Sequence, residues 1–221
     1  MTDHAADGLL RLWLEDVKAV APEADPTFAA SVGDGLVARW SQPHRRYHTL
    51  QHLTEMFAAF EQLAGPAGLD ARERAVIRIG AWLHDAVYDV QAPPGDTERA
   101  SAALGREMLS ALGVPGADID EVEALILMTI DHGDTAATPA GGVFHDADLW
   151  ILAAPADRFD EYCEQVRQEY AEVPEDRYSQ ARSRILGDLV DRENVYRTVT
   201  ARTAWTERAR ANVRREIARL T

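Results

Sequence analysis

The sequence has few of the features that mark a secreted or membrane protein. It contains a single cysteine, Cys163, so neither a disulfide framework nor a cysteine-ligated zinc site can form within one chain. No apolar run approaches the roughly 18 residues that a membrane span needs. The N-terminal segment 1–7 is acidic, unlike the basic start of a signal peptide. We therefore expect a soluble, cytoplasmic protein that does not bind membranes.

Positive charge is also scarce, since the formal net charge is −14 over 221 residues. Binding along a nucleic acid polymer requires clustered Lys and Arg, so the composition argues against that partner. A small phosphorylated ligand remains compatible, because a few arginines can hold one phosphate and nearly all basic residues here are Arg. Hydrophobic residues make up 46% and charged residues 27%, as in ordinary globular proteins, and we expect one domain over 1–221.

Alternation of apolar and polar residues, the pattern typical of strands, is hard to find in this chain. Apolar residues instead recur at spacings of three and four, which predicts an all-α protein. Proline and glycine clusters fall between the periodic segments, and the glycine-rich stretch 138–142 is interpreted as a loop. The predicted helices span 6–20, 27–41, 46–63, 70–87, 96–112, 118–131, 143–153, 157–172, 176–191 and 203–219.

An adjacent His–Asp pair, His84–Asp85, ends the apolar run of the predicted helix 70–87. An imidazole nitrogen beside a carboxylate oxygen suits a divalent cation such as zinc, manganese, iron, cobalt or magnesium. Without a partner, a carboxylate in apolar surroundings would be costly. The competing interpretation is that the pair is an exposed dipeptide at a helix end. Other candidate ligands in the sequence have to decide between the two interpretations.

Two further histidines, His48 and His52, stand four residues apart in a predicted helix, which places them on one face one turn apart. Either both bind one ion, or one binds a metal while the other reaches a substrate. A merely polar helix face is the alternative. Asp146 and Asp148 are predicted to open the helix 143–153, where a capping role is expected for Asp146. Asp148 stands deeper in an apolar turn and is the better ligand candidate.

The order of His52, His84–Asp85 and Asp148, each on a separate helix, resembles the HD-domain superfamily of metal-dependent phosphohydrolases. The segment Tyr47–His52 is similar to the Tyr-His-Asn-x-x-His segment of cyclic-nucleotide phosphodiesterases, with Thr49 in place of Asn. Segments around residues 88–102 and 166–170 also resemble a bacterial subgroup of HD proteins. The resemblance implies an HD-type helical bundle with a metal core at about 46–153 and helical extensions at both ends.

The resemblance also implies roles for individual residues. A divalent metal would be bound by His52, His84, Asp85 and Asp148, while His48 would be the general acid that protonates the leaving oxygen. His132 is a second candidate for that proton donor. One metal per chain is expected, because HD proteins with two metals supply two extra histidines between the dyad and the last Asp, whereas this chain offers only His132 and, if it turns inward, His145.

Three more residues are candidates around this core. Glu98 is a possible substrate-side or supporting carboxylate, although a solvated acid in a first helical turn is equally compatible. Arg45 and Arg46 precede the predicted helix 46–63 and could contact a phosphate, with surface arginines of no special role as the alternative.

We therefore expect a metal-dependent phosphohydrolase that uses a metal-activated water to cleave a phosphoester of a small molecule, with a nucleotide as the first substrate class. Two alternatives stay open. An HD-type di-iron oxygenase would bind two irons and consume O₂. A non-catalytic metal- or nucleotide-binding module would bind its ligand without turnover. A homodimer is compatible with a helical surface of this kind.

Overall fold

The computed structural model describes residues 3–133 and 138–221, and within these ranges the chain is all-helical, as predicted. Ten α-helices and one short 3-10 helix are joined by brief connections, and the described ranges contain no strand. None of the helices described is both long and apolar enough to cross a membrane. The elements are α1 (Asp3–Val20), α2 (Pro26–Trp40), α3 (Leu50–Ala64), α4 (Ala71–Leu83), α5 (Asp96–Ala111), α6 (Gly116–Met128), α7 (Pro139–Asp148), the 3-10 helix (Leu149–Ala153), α8 (Ala156–Glu169), α9 (Glu175–Val190) and α10 (Val199–Leu220).

Helix α4 lies in the middle of the bundle and packs against α1, α3, α5, α6 and α7. It begins at a capping box: Asp70 accepts from the Glu73 backbone N–H, and the Glu73 carboxylate accepts from the Asp70 backbone N–H. Most of the helix from Ala75 onward is buried. Because the neighbouring helices surround α4, its C-terminal end carries the His84–Asp85 pair into the interior of the bundle.

Aromatic side chains fix the helices around α4, as expected for aromatic residues at helical spacing. Trp13, Trp40 and Trp82 are fully buried, whereas Trp150 is half-buried. The indole N–H of Trp40 donates to the carbonyl of Trp82 at 2.9 Å. The same indole lies 5.6 Å from the ring of His84, measured between ring centroids. Trp40 therefore joins the end of α4 to α2 and packs against the rings of His84 and His52.

The start of α3 differs from the prediction. The helix begins at Leu50, and Thr49 is its N-cap, with a side chain that accepts from the Gln51 backbone N–H. His48 therefore lies in the turn before α3, and the expectation that His48 and His52 share one helix face was wrong. A carboxylate from α8, described below, binds the backbone N–H groups of this turn and holds it out of the helix.

The region around Asp148 also differs. The stretch 138–142 is not a loop: Thr138 caps α7, Pro139 takes its first position, and the helix ends at Asp148. Asp146 and Asp148 thus lie in the last turn of α7 instead of opening a helix. Asp146 does not cap its own helix. It accepts from the backbone N–H of Thr198 and so supports the N-terminus of α10.

Candidate metal centre and adjoining cavity

The candidate site contains two imidazoles, those of His52 and His84, whose Nε2 atoms point toward each other. His52 lies in the first turn of α3, His84 is the C-cap of α4, and both are buried. Their Nε2 atoms are 3.4 Å apart. On the outer side, His84 Nδ1 lies 2.8 Å from the carbonyl oxygen of Ala81, and His52 Nδ1 lies 3.0 Å from the Tyr47 hydroxyl. Because these contacts occupy the Nδ1 atoms, both Nε2 atoms are free to act as ligands.

Two carboxylates stand beside these imidazoles. Asp85 Oδ2 lies 3.0 Å from Nε2 of His84. Asp148 Oδ1 lies 3.2 Å from Nε2 of His52 and 3.5 Å from Nε2 of His84. Burial by itself would raise the pKa of both carboxyl groups, but the neighbouring histidines outweigh it, His84 most strongly, so both pKa values lie below the ordinary range. Both groups therefore remain ionised at neutral pH and attract a cation.

His52, His84 and Asp85 could hold a metal ion, because one ligand atom from each lies within 4.8 Å of the others. Two imidazole nitrogens and a carboxylate oxygen are a donor set that divalent transition metals accept. The outer contacts of the two imidazoles are those that orient metal-binding histidines in proteins. The residues present therefore fit a divalent cation, and Asp148 lies against two of the three.

His48 is held beside this cluster by Glu169, the last residue of α8. His48 Nδ1–H donates to Glu169 Oε2 at 2.7 Å, and His48 Nε2 lies 3.9 Å from Asp85 Oδ2. Burial would lower the pKa of His48, but the hydrogen bond to Glu169 and the charge of Asp85 outweigh it and raise this pKa. These contacts therefore favour the protonated form of the His48 imidazole beside the cluster.

Glu169 was not among the candidates drawn from the sequence. Its Oε1 atom accepts from the backbone N–H groups of Arg46, Tyr47 and His48, at 2.7 to 3.0 Å. Its Oε2 atom accepts from the Tyr88 hydroxyl as well as from His48. Two sequence signals touched Glu169: the segment 166–170 carried part of the resemblance, and the acid lies on the same helical stripe as the apolar residues of α8, but neither identified its partner.

His132 approaches the cluster from another side. Its Nε2 lies 3.8 Å from Asp148 Oδ2, and its backbone has a φ of 51°, which is rare for a residue other than glycine. Burial lowers the pKa of His132 to about 4. The His132 imidazole is therefore neutral at neutral pH.

The two arginines predicted to contact phosphate are engaged elsewhere. Arg45 is buried, and its guanidinium donates to the backbone carbonyls of His48, Asp85 and Ala86. It therefore fixes the two segments that carry the His48 and Asp85 side chains. Arg46 is exposed and donates to the carbonyls of Pro43 and Arg45. Neither residue lines the cavity that adjoins the cluster.

A cavity of about 590 Å³ opens from the cluster. His48, His52, His84, Asp85 and Asp148 lie at one end of its lining, and Glu98 and His132 also border it. Glu98 is half-buried and accepts from the Thr97 hydroxyl at 3.0 Å. The remainder of the lining combines apolar side chains with aromatic ones and one arginine: Leu149, Ile151, Leu152, Tyr162, Val166, Tyr170, Tyr178, Arg182, Ile185, Leu186 and Leu189. The cluster thus faces a space large enough for a small organic molecule.

Comparison with known proteins adds no family assignment. No protein-family model matches the chain, and no curated protein matches it at a significant level. The HD-domain resemblance therefore stays a prediction from the sequence, while the all-helical fold and the grouping of His52, His84 and Asp85 stand on the structure.

Proposed function

We propose that this protein is a metal-dependent phosphohydrolase that acts on a small phosphorylated molecule, with nucleotides as the first class to test. One observation carries the proposal: the metal-type cluster shares a cavity wall with the His48 imidazole, which donates from Nδ1 to the buried carboxylate of Glu169. A cation site and a proton donor at the same end of a cavity are the two groups that hydrolysis of a phosphoester requires.

His52, His84, Asp85 and Asp148 would hold the cation. Asp148 is included because its Oδ1 atom lies within 3.5 Å of both histidines and its carboxyl group remains ionised. Once bound, a divalent cation supplies a Lewis acid for a phosphoryl oxygen and a water of lowered pKa. The protein fixes the ligand geometry through contacts of Ala81 and Tyr47 with the outer imidazole nitrogens.

His48 would donate its Nε2 proton to the leaving oxygen of the substrate. This nitrogen points toward Asp85, while Nδ1 is held by Glu169. A positioned general acid contributes about 10² to 10⁴ in rate. Glu169 acts through His48 and is a positioning residue, since its carboxylate orients the ring and favours the imidazolium.

The test is a metal analysis combined with a substrate screen. The purified chain is assayed for bound manganese, iron, cobalt, zinc and magnesium, and for phosphate release from nucleoside mono-, di- and triphosphates and cyclic nucleotides. The parent is compared with Asp85→Ala and with Asp120→Ala, a matched change at an exposed carboxylate of α6. We expect about one metal per chain, and phosphate release that Asp85→Ala abolishes and Asp120→Ala retains.

Other outcomes would reject the proposal. Phosphate release that persists in Asp85→Ala would place the reaction elsewhere in the molecule. Two irons per chain with O₂ consumption would identify the oxygenase alternative. Metal-replete protein that binds a nucleotide tightly, without release from any compound of the panel, would identify a binding module.

A further inference from the structure

Arg182 is a cation in the cavity wall that forms no ion pair with the residues that the structure describes. It lies on α9, is half-buried, and lines the same cavity as the metal-type cluster. Its Nε and Nη2 atoms are buried and have no hydrogen-bond partner among the residues that the structure describes. These two donors form the side of a guanidinium that binds carboxylate or phosphate in a bidentate manner.

The neighbours of Arg182 do not neutralise it. Its guanidinium carbon lies 4.8 Å from the centre of the Tyr162 ring. Burial raises the pKa of Tyr162, and it raises the pKa of Tyr178 and Cys163 to about 12 each, so all three groups are neutral at neutral pH. The acid Glu216 also lies near Cys163. Its Oε2 atom pairs with Nη1 of Arg219, at 3.9 Å, and it forms no ion pair with Arg182.

A second unpartnered polar group lies close by. The Tyr178 hydroxyl is buried and has no hydrogen-bond partner in the described part of the chain. Tyr178 also lines the cavity and lies one turn before Arg182 on α9. Leaving buried donors without partners costs free energy, and an uncompensated buried charge costs more. An anion in the cavity would satisfy both groups.

This pair is separated from the metal-type cluster by two aromatic rings. The ring of His52 contacts Tyr47 at a centroid distance of 4.8 Å, and Tyr47 contacts Tyr162 at 4.5 Å, with Arg182 lying beyond. Apolar side chains, among them Leu152 and Val166, line the cavity as well. A group held by Arg182 is therefore different from the phosphoryl group that the cluster would hold.

We propose that Arg182, assisted by the Tyr178 hydroxyl, binds a second anionic group, a carboxylate or a second phosphate, at the end of the substrate opposite the reacting phosphoryl group. The preferred substrate is then a phosphate ester with an apolar middle and an anion at its far end. This assignment rests on the proposed phosphohydrolase function for the reaction, but the binding step can be measured independently.

The experiment uses alkyl phosphates of increasing chain length, each ending in a methyl group, a carboxylate or a second phosphate. For the unsubstituted protein we expect one chain length at which a terminal anion gives a kcat/KM about 10 to 100 times higher than a terminal methyl group does. Most of this difference should come from a lower KM. The carboxylate and phosphate series decide which anion is preferred. Arg182→Met should remove the preference, Tyr178→Phe should reduce it, and Arg184→Met, at an exposed position of the same helix, should retain it.

Two further measurements separate binding from reaction and from folding. Calorimetric binding of the corresponding phosphonates, which cannot be hydrolysed, should show the same preference for a terminal anion and its loss in Arg182→Met. The melting temperature of Arg182→Met should equal or exceed that of the parent, because the change removes an unpaired buried charge.

The outcomes distinguish the two proposals. Hydrolysis without any preference for a terminal anion would overturn the role of Arg182 and leave the phosphohydrolase intact. Phosphonate binding with an Arg182-dependent preference, but no hydrolysis of any ester, would support Arg182 and overturn the reaction. A marked loss of stability in Arg182→Met would make the residue structural and overturn its assignment, and so would failure of every terminal anion to improve binding.

Discussion

Glu169 at the end of α8 holds His48 through both the side chain and the backbone. One carboxylate oxygen accepts from the imidazole Nδ1–H at 2.7 Å, and the other accepts from the His48 backbone N–H at 3.0 Å. The ring and the peptide that carries it are therefore fixed by a single residue that lies 121 positions later in the chain. Changes at Glu169 should therefore alter both the proton affinity of His48 and the stability of the fold.

The first prediction concerns the pH dependence of hydrolysis. The pKa of His48 is raised by Glu169 and Asp85 against the effect of burial, which favours the protonated imidazole. Activity that needs this proton should fall as the pH rises through the raised pKa. Glu169→Gln removes the carboxylate, lowers the pKa of His48 and should shift the alkaline limb of kcat to lower pH.

The control is Glu164→Gln, at an exposed position of the same helix, which should keep the parent profile. An alkaline limb that is identical in Glu169→Gln and the parent would contradict the assignment of His48 as the proton donor. His48→Ala should lower kcat by about 10² to 10⁴ while the metal content stays unchanged.

The second prediction concerns stability in acid. Burial would raise the pKa of Glu169, but hydrogen bonds from His48 and from the backbone of Arg46 lower it from 4.5 to about 2. A carboxyl group whose pKa is lower in the folded state stabilises the protein fully above the unfolded-state pKa, and this contribution is lost as the pH falls toward the folded-state pKa. Glu169 should therefore contribute on the order of 3 kcal/mol above about pH 5.

Urea unfolding of parent and Glu169→Gln at several pH values, in the presence of a chelator, measures this contribution. The difference in unfolding free energy should be largest near neutral pH and shrink as the pH falls from about 5 toward 2. A difference that does not change with pH would show that Glu169 is not ionised in the folded protein.

The third prediction concerns the metal ligands. A cation that binds only the folded protein raises the unfolding free energy by about 2.7 kcal/mol at a concentration one hundred times its Kd. The melting temperature of the parent should therefore rise with added metal and fall with a chelator. Asp148→Ala, which removes a carboxylate 3.2 Å from His52 Nε2, should weaken or abolish this response.

Asp188→Ala, at an exposed position of α9, is the matched control and should respond as the parent does. Titrations with each candidate metal also identify the preferred ion. An Asp148→Ala variant with the same metal content and the same thermal shift as the parent would restrict the site to His52, His84 and Asp85.

The sequence predicted the all-helical fold and the position of the His84–Asp85 pair at the end of a buried helix, because both depend on local information. The spacing of apolar residues marked α4, and the His84–Asp85 pair at its end was visible as a motif. The predicted start of α3 was wrong. Glu169, from a distant helix, accepts from the backbone N–H groups of residues 46–48, which the prediction had placed in the first turn of α3. Tertiary contacts of this kind leave no periodic signal in either segment.

The roles of the arginines could not be read from the sequence for the same reason. Arg45 is adjacent to the histidine segment and looked like a phosphate ligand, yet its donors are taken up by backbone carbonyls. Arg182 is one of several charged residues of α9, and no sequence pattern distinguishes it from the others. Its importance depends on two buried donors, Nε and Nη2, that have no hydrogen-bond partner among the described residues, and only the packing reveals this.

The last prediction concerns Asp146, which joins α7 to the N-terminus of α10. Its side chain is fully buried. Oδ1 accepts from the Arg197 backbone N–H and lies 2.8 Å from Nδ1 of His145, while Oδ2 accepts from the backbone N–H and the hydroxyl of Thr198. The Thr198 hydroxyl in turn caps α10 by accepting from the Ala201 N–H. Asp146→Ala would leave several partly buried donors without a partner and should lower the unfolding free energy by about 3 kcal/mol.

Thr198→Val removes the cap and one of these hydrogen bonds, and should cost about 1 kcal/mol. Because Asp146 and Thr198 contact each other directly, the double variant should lose less than the sum of the single variants, which urea unfolding of all four proteins measures as a coupling energy. Strict additivity would contradict the shared network. Asp157→Ala, at an exposed acid in the first turn of α8, is the control and should change the unfolding free energy by no more than about 0.5 kcal/mol.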